Sequence, residues 1–303
     1  MDFKKIKKTF SRFLGWIGLN ISSLIVKVIP PKSLYGFARV VSFLAYIFAG
    51  RQRQIAFDSL RIAFGKEKDE GELDNIVREC FDYIAKSAVE LMFLMDNPHL
   101  LKERVFIEGK ENLDKALSLG KGVILVSAHF GNFPLLLGAL AVKGYKVGGI
   151  MRPMRDSRVE KIFLKKRDKF GVKTIYSQPR SACVNNTIQA LRSNEIVFIP
   201  IDQNFGTGGV FVNFFGKKAA TATGPIVFAQ RTKAALVPCF ILRQKDDRHK
   251  IIFEPAIDLQ VSSDSEETIL INIQRLTDII ERYIRNYPAE WGWIHRRWKS
   301  QPS

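Results

Sequence analysis

The chain has 303 residues and 46% of them are hydrophobic, which excludes a disordered chain and allows one large domain or two small ones. Lysine and arginine outnumber aspartate and glutamate by 47 to 30, and the net charge of +17 favours anionic partners: nucleic acid, acidic lipid headgroups, phosphorylated substrates or an acidic carrier protein. The three cysteines are widely spaced and odd in number, so neither a disulfide framework nor, with only four scattered histidines, a metal site is expected.

The first fifty residues predict contact with a membrane. A basic run at residues 1–12 precedes two apolar stretches, 13–29 and 34–50, which Pro30-Pro31 separates. Neither stretch is a clean run of the roughly 20 apolar residues that cross a bilayer. Two membrane arrangements stay open: a marginal single span with its basic end in the cytoplasm, and two amphipathic helices lying in the interface. A pair of ordinary core helices is the third interpretation, and the aromatic residues beside the lysines favour the membrane.

Apolar spacing predicts a long helix at residues 70–95, and from residue 104 strands alternate with helices. The predicted strands are 105–107, 122–127, 146–150, 174–176, 196–201, 236–243 and 250–254, and the predicted helices are 111–119, 133–142, 158–170, 182–192, 225–231 and 267–286. A loop is expected between the strand that ends at residue 201 and the helix that begins at residue 225.

This alternation predicts an α/β fold with a mixed, mostly parallel central sheet flanked by helices. An antiparallel hairpin is expected across residues 244–249. We divide the chain into a basic, hydrophobic membrane anchor (1–50), a helical region (51–100) and an α/β core (101–303).

His129 follows a predicted buried strand, in the stretch V-S-A-H-F-G-N-F-P at residues 126–134. The carboxyl ends of strands in open α/β sheets form ligand crevices. Gly131 permits a close approach of substrate or backbone, Asn132 can cap the next helix, and Pro134 fits its first turn. A neutral imidazole here can act as a general base on a hydroxyl. The alternative is a histidine held by backbone groups at a strand end.

Asp202 follows another predicted strand, and Gln203 and a glycine-rich stretch at residues 204–209 come next. The glycines indicate a tight or mobile loop that borders the same crevice. The stretch lacks the Lys-Ser/Thr of a phosphate-binding P-loop. Asp202 is therefore a candidate site residue or an ordinary turn residue.

A basic segment lies between residues 150 and 180, where ten lysines and arginines face three acids. It can be the solvated face of a helix, or a docking surface for an anion or an acidic protein. Arg152 comes directly after a predicted strand and is therefore best placed to enter the crevice.

Residues 291–299, W-G-W-I-H-R-R-W-K, hold three of the four tryptophans among basic residues. Such a mixture suits single-stranded nucleic acid or a membrane interface. Alternatively, the segment packs on the core and its arginines cap helix ends.

Together these segments resemble the bacterial lipid A biosynthesis (late) acyltransferase family, within the lysophospholipid acyltransferase superfamily. The matching stretches are S-A-H-F-G-N-F at 127–133, D-Q-N-F-G-x-G-G-V-F-V-x-F-F-G at 202–216, A-x-T-x-x-G-P at 219–225, A-L-V-P-C-F at 235–240 and the tryptophan-rich end. Their order and spacing agree over residues 30–299, and the resemblance implies a glycerolipid acyltransferase-like fold.

The resemblance implies an O-acyltransferase at the cytoplasmic face of the inner membrane, without metal, cofactor or covalent acyl-enzyme. Its partners would be acyl carrier protein (or CoA) as the thioester donor, a lipid acceptor of the lipid A or lipooligosaccharide type, and the membrane surface, but no nucleic acid. The alternatives are a lysophospholipid or other glycolipid acyltransferase and a catalytically silent lipid-binding relative. A nucleic-acid-binding protein is a remote alternative, since it leaves the His-Gly-Asn turn unexplained.

His129 corresponds to the histidine of the family's motif, which deprotonates the acceptor hydroxyl. That motif has Asp or Glu at the fifth position after the histidine, where this chain has Pro134. We predict that Asp202 supplies the missing carboxylate, because related mannolipid acyltransferases draw theirs from outside the motif. Asp156 and Glu160 are weaker candidates. A backbone carbonyl that holds the imidazole is the remaining option. The predicted substrate-binding residues are Asn132, Arg152, Gln203, Thr223, Gly224 and Arg296.

Overall fold

The computed structural model describes the backbone of residues 3–302 and the side chains of residues 9, 13 and 15–302. The lysines and the arginine of the basic run predicted at residues 1–12 lie outside the described side chains. The helices are α1 (Phe3–Val28), α2 (Leu34–Phe48), α3 (Gly50–Phe64), α4 (Glu70–Asp96), α5 (Leu101–Arg104), α6 (Lys110–Ser118), α7 (Phe133–Val142), α8 (Ser157–Phe170), α9 (Arg180–Arg192), α10 (Gly224–Thr232) and α11 (Ser265–Asn286). The strands are β1 (Val105–Glu108), β2 (Val123–Ser127), β3 (Val147–Met151), β4 (Lys173–Tyr176), β5 (Ile196–Pro200), β6 (Val210–Phe214), β7 (Lys217–Thr221), β8 (Ala235–Arg243) and β9 (His249–Phe253).

Seven strands form one sheet in the order β1-β9-β8-β2-β5-β3-β4. All neighbouring pairs are parallel except β8 and β9, which form the hairpin predicted across residues 244–249. The predicted mixed, mostly parallel sheet flanked by helices is therefore confirmed. Since β2, β5 and β3 run in the same direction, the residues that follow them meet at one edge of the sheet.

Strand β2 is buried along its whole length because helices cover both faces of the sheet. Ile124 and Val126 belong to an apolar cluster with α3, α4, α9, α10 and α11, whereas Val123 and Leu125 belong to a second cluster with α5, α6 and α7. Successive side chains of a strand point to opposite faces, which produces this alternation. The helical region at 51–100 thus shares its core with the sheet.

The predicted loop between β5 and α10 is wrong, because it contains a separate antiparallel pair, β6 and β7. The two strands are joined by Phe215 and Gly216, whose φ angles are 53° and 71°. A two-residue hairpin turn of type I′ needs positive φ at both positions and usually takes Asn-Gly or Asp-Gly. A phenylalanine in the first position hides this signal in the sequence.

Helices α1 and α2 pack mainly on α4. Val26, Leu34 and Ala38 are buried there. The opposite sides leave large apolar side chains exposed, namely Ile21, Leu24, Val28, Val40, Phe43, Leu44, Ile47 and Phe48. No single helix in the described part of the chain has the length and apolar composition of a membrane span, although residues 31–48 and 50–64, bent by 86°, pass that test as a pair.

Candidate active site

The turn after β2 carries His129 and is clamped by the C-terminal segment. The backbone N–H of Gly131 donates to the carbonyl of Glu290 at 2.8 Å, and the N–H of Gly292 donates to the carbonyl of His129 at 3.1 Å. Gly131 has a φ of +54°, and a Cβ there would lie 2.1 Å from the carbonyl oxygen of Ile241. Only glycine fits this position, since backbone rather than substrate approaches it.

Asp202 follows β5, the neighbour of β2, and its carboxylate contacts the imidazole of His129. His129 Nδ1 lies 2.8 Å from Asp202 Oδ1, and the backbone N–H of His129 donates to Asp202 Oδ2 at 2.9 Å. The indole N–H of Trp291 donates to Oδ2 as well, at 2.8 Å. A carboxylate accepts hydrogen bonds, so a neutral His129 carries its proton on Nδ1 and presents an unprotonated Nε2.

The two partners differ in exposure. The side chain of His129 is 31% exposed, whereas that of Asp202 is fully buried. Burial lowers the pKa of His129, but the charge and hydrogen bond of Asp202 outweigh it and raise that pKa above the ordinary 6.5. Burial alone would raise the pKa of Asp202. The charge and hydrogen bond of His129, together with the nearby His295, instead hold the pKa of Asp202 well below its usual value. The carboxylate is therefore ionised, as an orienting acid must be.

His295 lies on the other side of the same carboxylate. Its Nε2 is 3.6 Å from Asp202 Oδ2, and its ring meets that of Trp291 edge-on with centroids 4.8 Å apart. Both ring nitrogens are buried without a hydrogen-bond partner. Asp202 thus lies between two imidazoles, only one of which, His129, is hydrogen-bonded to it.

Arg297 holds the loop that follows Asp202. Its guanidinium is buried and donates to the carbonyls of Gln203 and Ala220 at 3.2 and 2.5 Å, and to Thr221 Oγ1 at 2.6 Å. Burial lowers the pKa of Arg297 to about 10, although the negative charge of Asp202 acts in the other direction and raises it. The arginine therefore supplies a positive charge behind the carboxylate without touching it.

The C-terminal segment packs on the core, as one of the three interpretations had it. Trp291, Trp293 and Trp298 are 1%, 0% and 7% exposed, so they form no surface for nucleic acid or lipid. Arg297 does not cap a helix end, although that interpretation expected it to. It donates instead to groups of the loop after β5 and of strand β7. Trp291 and His295 are the site residues that the sequence prediction missed, and Arg297 is buried at the site whereas its neighbour Arg296, the predicted substrate-binding residue, is exposed.

Asn132 does not present its amide to the crevice. It is 1% exposed and occupies the position before α7, but its side chain makes no capping bond, so the predicted cap is wrong. The amide instead donates to the carbonyl of Ser87 and to Glu90 Oε2, both at 3.3 Å. Pro134 does lie in the first turn of α7, as predicted.

The remaining predicted substrate-binding residues are Arg152, Gln203, Thr223, Gly224 and Arg296. Arg152 is exposed directly after β3, Gln203 is exposed beside Asp202, and Arg296 is exposed next to Arg297. Thr223 and Gly224 begin α10 without a side-chain capping bond.

The weaker carboxylate candidates do not contact His129. Asp156 caps α8 by accepting from the N–H of Arg158, and Glu160 accepts from Met154, Arg167 and Tyr176. Asp202 is consequently the carboxylate that the fold brings to His129.

An apolar wall flanks the histidine. Phe133 meets the His129 ring edge-on at 5.0 Å, and it stacks on Phe198 with centroids 5.9 Å apart. Within the described residues, no group of His, Cys, Asp and Glu is arranged to hold a metal ion. The arrangement is that of a general base, oriented by a buried carboxylate, beside apolar side chains.

Comparison with known proteins agrees with this chemistry. Residues 1–300 match the family described as bacterial lipid A biosynthesis acyltransferase. The lipid A biosynthesis palmitoleoyltransferase of Escherichia coli strain K12 is 25% identical over 96% of this chain and 92% of its own length. The lauroyltransferase of the same strain is 26% identical over the same shares. A phosphatidylinositol mannoside acyltransferase of Mycobacterium tuberculosis strain CDC 1551 is 24% identical over 63% of this chain and 59% of its own. The chain therefore belongs to the bacterial lipid A biosynthesis acyltransferase family and is an O-acyltransferase.

Proposed function

We propose that this chain transfers a fatty acyl group from a carrier-bound thioester to a hydroxyl of a lipid A-type glycolipid, with His129 as the base. The observation that carries the proposal is the 2.8 Å contact between His129 Nδ1 and Asp202 Oδ1. Through this contact, Asp202 takes the place of the carboxylate that the family motif has at the position of Pro134.

In the proposed reaction, Nε2 of His129 takes the proton of the acceptor hydroxyl as its oxygen attacks the thioester carbonyl. The tetrahedral intermediate then breaks the carbon–sulfur bond, and the imidazolium returns the proton to the leaving sulfur. The products are an ester and a free thiol, so no group remains on the enzyme. Asp202 fixes the tautomer and stabilises the imidazolium that forms.

The acceptor class follows from the relatives and from charge. The printed names of the relatives refer to lipid A and to phosphatidylinositol mannoside, which are both glycolipids. The exposed Arg152 lies at the edge that carries His129, where it suits an anionic headgroup. We favour the lipid A type because the family and the relatives that span nearly the whole chain bear that name.

The exposed apolar side chains of α1 and α2 support membrane association. Leu24, Val28, Phe43 and Phe48 are 64%, 73%, 65% and 81% exposed, which is a large apolar surface to leave in water. We propose that both helices lie in the interface of the cytoplasmic leaflet of the inner membrane, where this surface is removed from water.

The test is acyl transfer by a His129→Ala variant. Loss of the base should lower turnover by about 10³-fold or more, within the usual size of general-base effects. Transfer of a labelled acyl chain from acyl carrier protein to lipid A precursor measures it, and His99→Ala, which removes an exposed histidine, is the matched control. Near-normal turnover by His129→Ala would overturn the mechanism, whereas a wild-type chain that binds lipid without turnover would be a silent relative.

A further inference from the structure

Helix α8 and the connection before it carry exposed positive charges that no carboxylate neutralises. Three basic residues of the segment are paired, Arg158 with Asp156 at 2.6 Å, Lys166 with Asp96 at 3.2 Å and Arg167 with Glu160 at 2.6 Å. The other exposed cations between residues 152 and 169 have no ion pair within the part of the chain that the structure describes; they are Arg152, Arg155, Lys161, Lys165 and Lys169. We call these five residues the basic stripe.

The basic stripe begins at the edge of the sheet that carries His129. Strand β3 is parallel to β5, and β5 is parallel to β2, so the residue after β3 emerges at the same edge as the turn after β2, with the end of β5 between them. Arg152 is that residue. Lys161, Lys165 and Lys169 follow at four-residue spacing, which places them along one side of α8. A molecule lying on the stripe therefore has one end at the crevice.

The side chains around the stripe favour a protein over a bilayer. The exposed apolar residues of α1 and α2 have no counterpart in α8, where Ile162, Phe163 and Leu164 are all half-buried, and Met154 is the single large apolar side chain exposed in the connection before it. A helix that lies in a membrane combines its cations with exposed apolar side chains. A surface dominated by cations suits an acidic protein, because complementary charge steers the encounter and sets the orientation. Asp168 is the one exposed acid within α8, and the stripe outnumbers it.

We propose that the basic stripe is the docking surface for the acidic carrier protein that brings the acyl thioester. This inference rests on the proposed function for the identity of the donor. The carrier lies along α8 with its thioester arm directed over Arg152 into the crevice, and α1 and α2 are left free for the lipid surface. The two surfaces adjoin at the start of α8, where Arg158 lies over the rings of Phe13 and Trp16 of α1 at 5.4 and 5.0 Å.

The experiment compares two donors with the same acyl group, acyl carrier protein and acyl-pantetheine, which lacks the protein. The variant is Lys161→Glu with Lys165→Glu. Its matched control is Lys143→Glu with Lys146→Glu, two exposed lysines just before β3, at the opposite end of that strand, which form no ion pair with the residues that the structure describes. We expect KM for acyl carrier protein to rise about tenfold and to lose its salt dependence in the α8 variant alone. The rate with acyl-pantetheine should be unchanged in both.

An unchanged KM for acyl carrier protein in the α8 variant would overturn the docking surface. Equal losses with both donors, together with weaker sedimentation with phosphatidylglycerol vesicles, would identify α8 as a membrane contact instead. If the wild-type chain transfers acyl groups from neither donor, the proposed function fails. The docking surface is then decided by the binding of carrier protein to the wild type and to the variant, measured by fluorescence anisotropy against salt.

Discussion

The protein buries two carboxylates that each contact a histidine, and the two sites differ in what else surrounds the charge. The carboxylate of Glu90 in α4 lies 3.0 Å from His249 Nε2. It also accepts hydrogen bonds from both terminal nitrogens of Arg243, at 2.8 and 2.6 Å. Asp202 contacts His129 at 2.8 Å but has no arginine against it. Every other direct donor to Asp202 is uncharged, namely the backbone N–H of His129 and the indole of Trp291.

The difference separates a structural pair from a reactive one. The negative charge of Glu90 is neutralised by Arg243 whatever the state of His249, and both side chains of that ion pair are at most 4% exposed. The charge of Asp202 remains available to its histidine, which is 31% exposed and can meet a substrate. A buried carboxylate without a bound cation stabilises a proton on its neighbour, which is what a general base needs. The comparison predicts that changes at Glu90 affect folding and that changes around Asp202 affect rate and pH dependence.

The largest effect is expected for Glu90→Ala. The substitution leaves His249 buried without its anion and Arg243 with Asp247 alone, 3.2 Å from its Nη1, and breaking a buried pair costs about 3–5 kcal/mol. Urea unfolding followed by tryptophan fluorescence measures the loss. Glu70→Ala, which breaks an exposed pair with Arg61, is the control and should leave the unfolding midpoint almost unchanged. A Glu90→Ala protein as stable as the wild type would remove the structural role from the comparison.

Asp202→Asn should lower acyl transfer by roughly 10²-fold while folding is largely kept. The activity requires neutral His129, so it falls as the pH drops through the pKa of that residue. Asp202 raises that pKa; without its charge the pKa falls, and the acidic limb of the pH–rate profile moves to lower pH. Asp258→Asn, an exposed aspartate, serves as control. If the acidic limb of the pH–rate profile does not move in Asp202→Asn, Asp202 does not act on the pKa of His129.

The contact between His129 and Asp202 was predictable because it depends on strand adjacency. Both residues follow buried strands, and neighbouring parallel strands end at the same edge of a sheet. The alternation of apolar runs also predicted every strand of the main sheet. These features are repeated along many residues, so a single sequence contains enough of the pattern to reveal them.

The rest of the site depends on contacts between distant residues. Trp291 and Arg297 reach Asp202 and its loop from the end of the chain, and a tryptophan-rich basic segment is compatible with a core, a membrane or nucleic acid. The amide of Asn132 faces Glu90 because α4 places a buried acid there, 42 residues earlier in the chain. No local pattern distinguishes these outcomes, since burial of a polar side chain is decided by the partner that it meets.

The smallest effect is expected for Trp291→Phe. It tests the comparison because the pH–rate profile should shift in the direction opposite to that of Asp202→Asn. Phenylalanine keeps most of the ring but removes the N–H that donates to Asp202 Oδ2 at 2.8 Å. The carboxylate then has one donor fewer and attracts the proton of His129 more strongly, so the pKa of His129 rises further. The acidic limb should move to higher pH, whereas Asp202→Asn moves it to lower pH. The rate at neutral pH should fall by about tenfold, which is the lower end of what one hydrogen bond to a charged group contributes. Trp298→Phe is the matched control, since its indole donates to the carbonyl of Phe214 at 3.2 Å in the same aromatic cluster and does not touch Asp202. Equal shifts in the two tryptophan variants would attribute the change to packing; a shift in Trp291→Phe alone would show that the indole sets how strongly Asp202 holds the proton of His129.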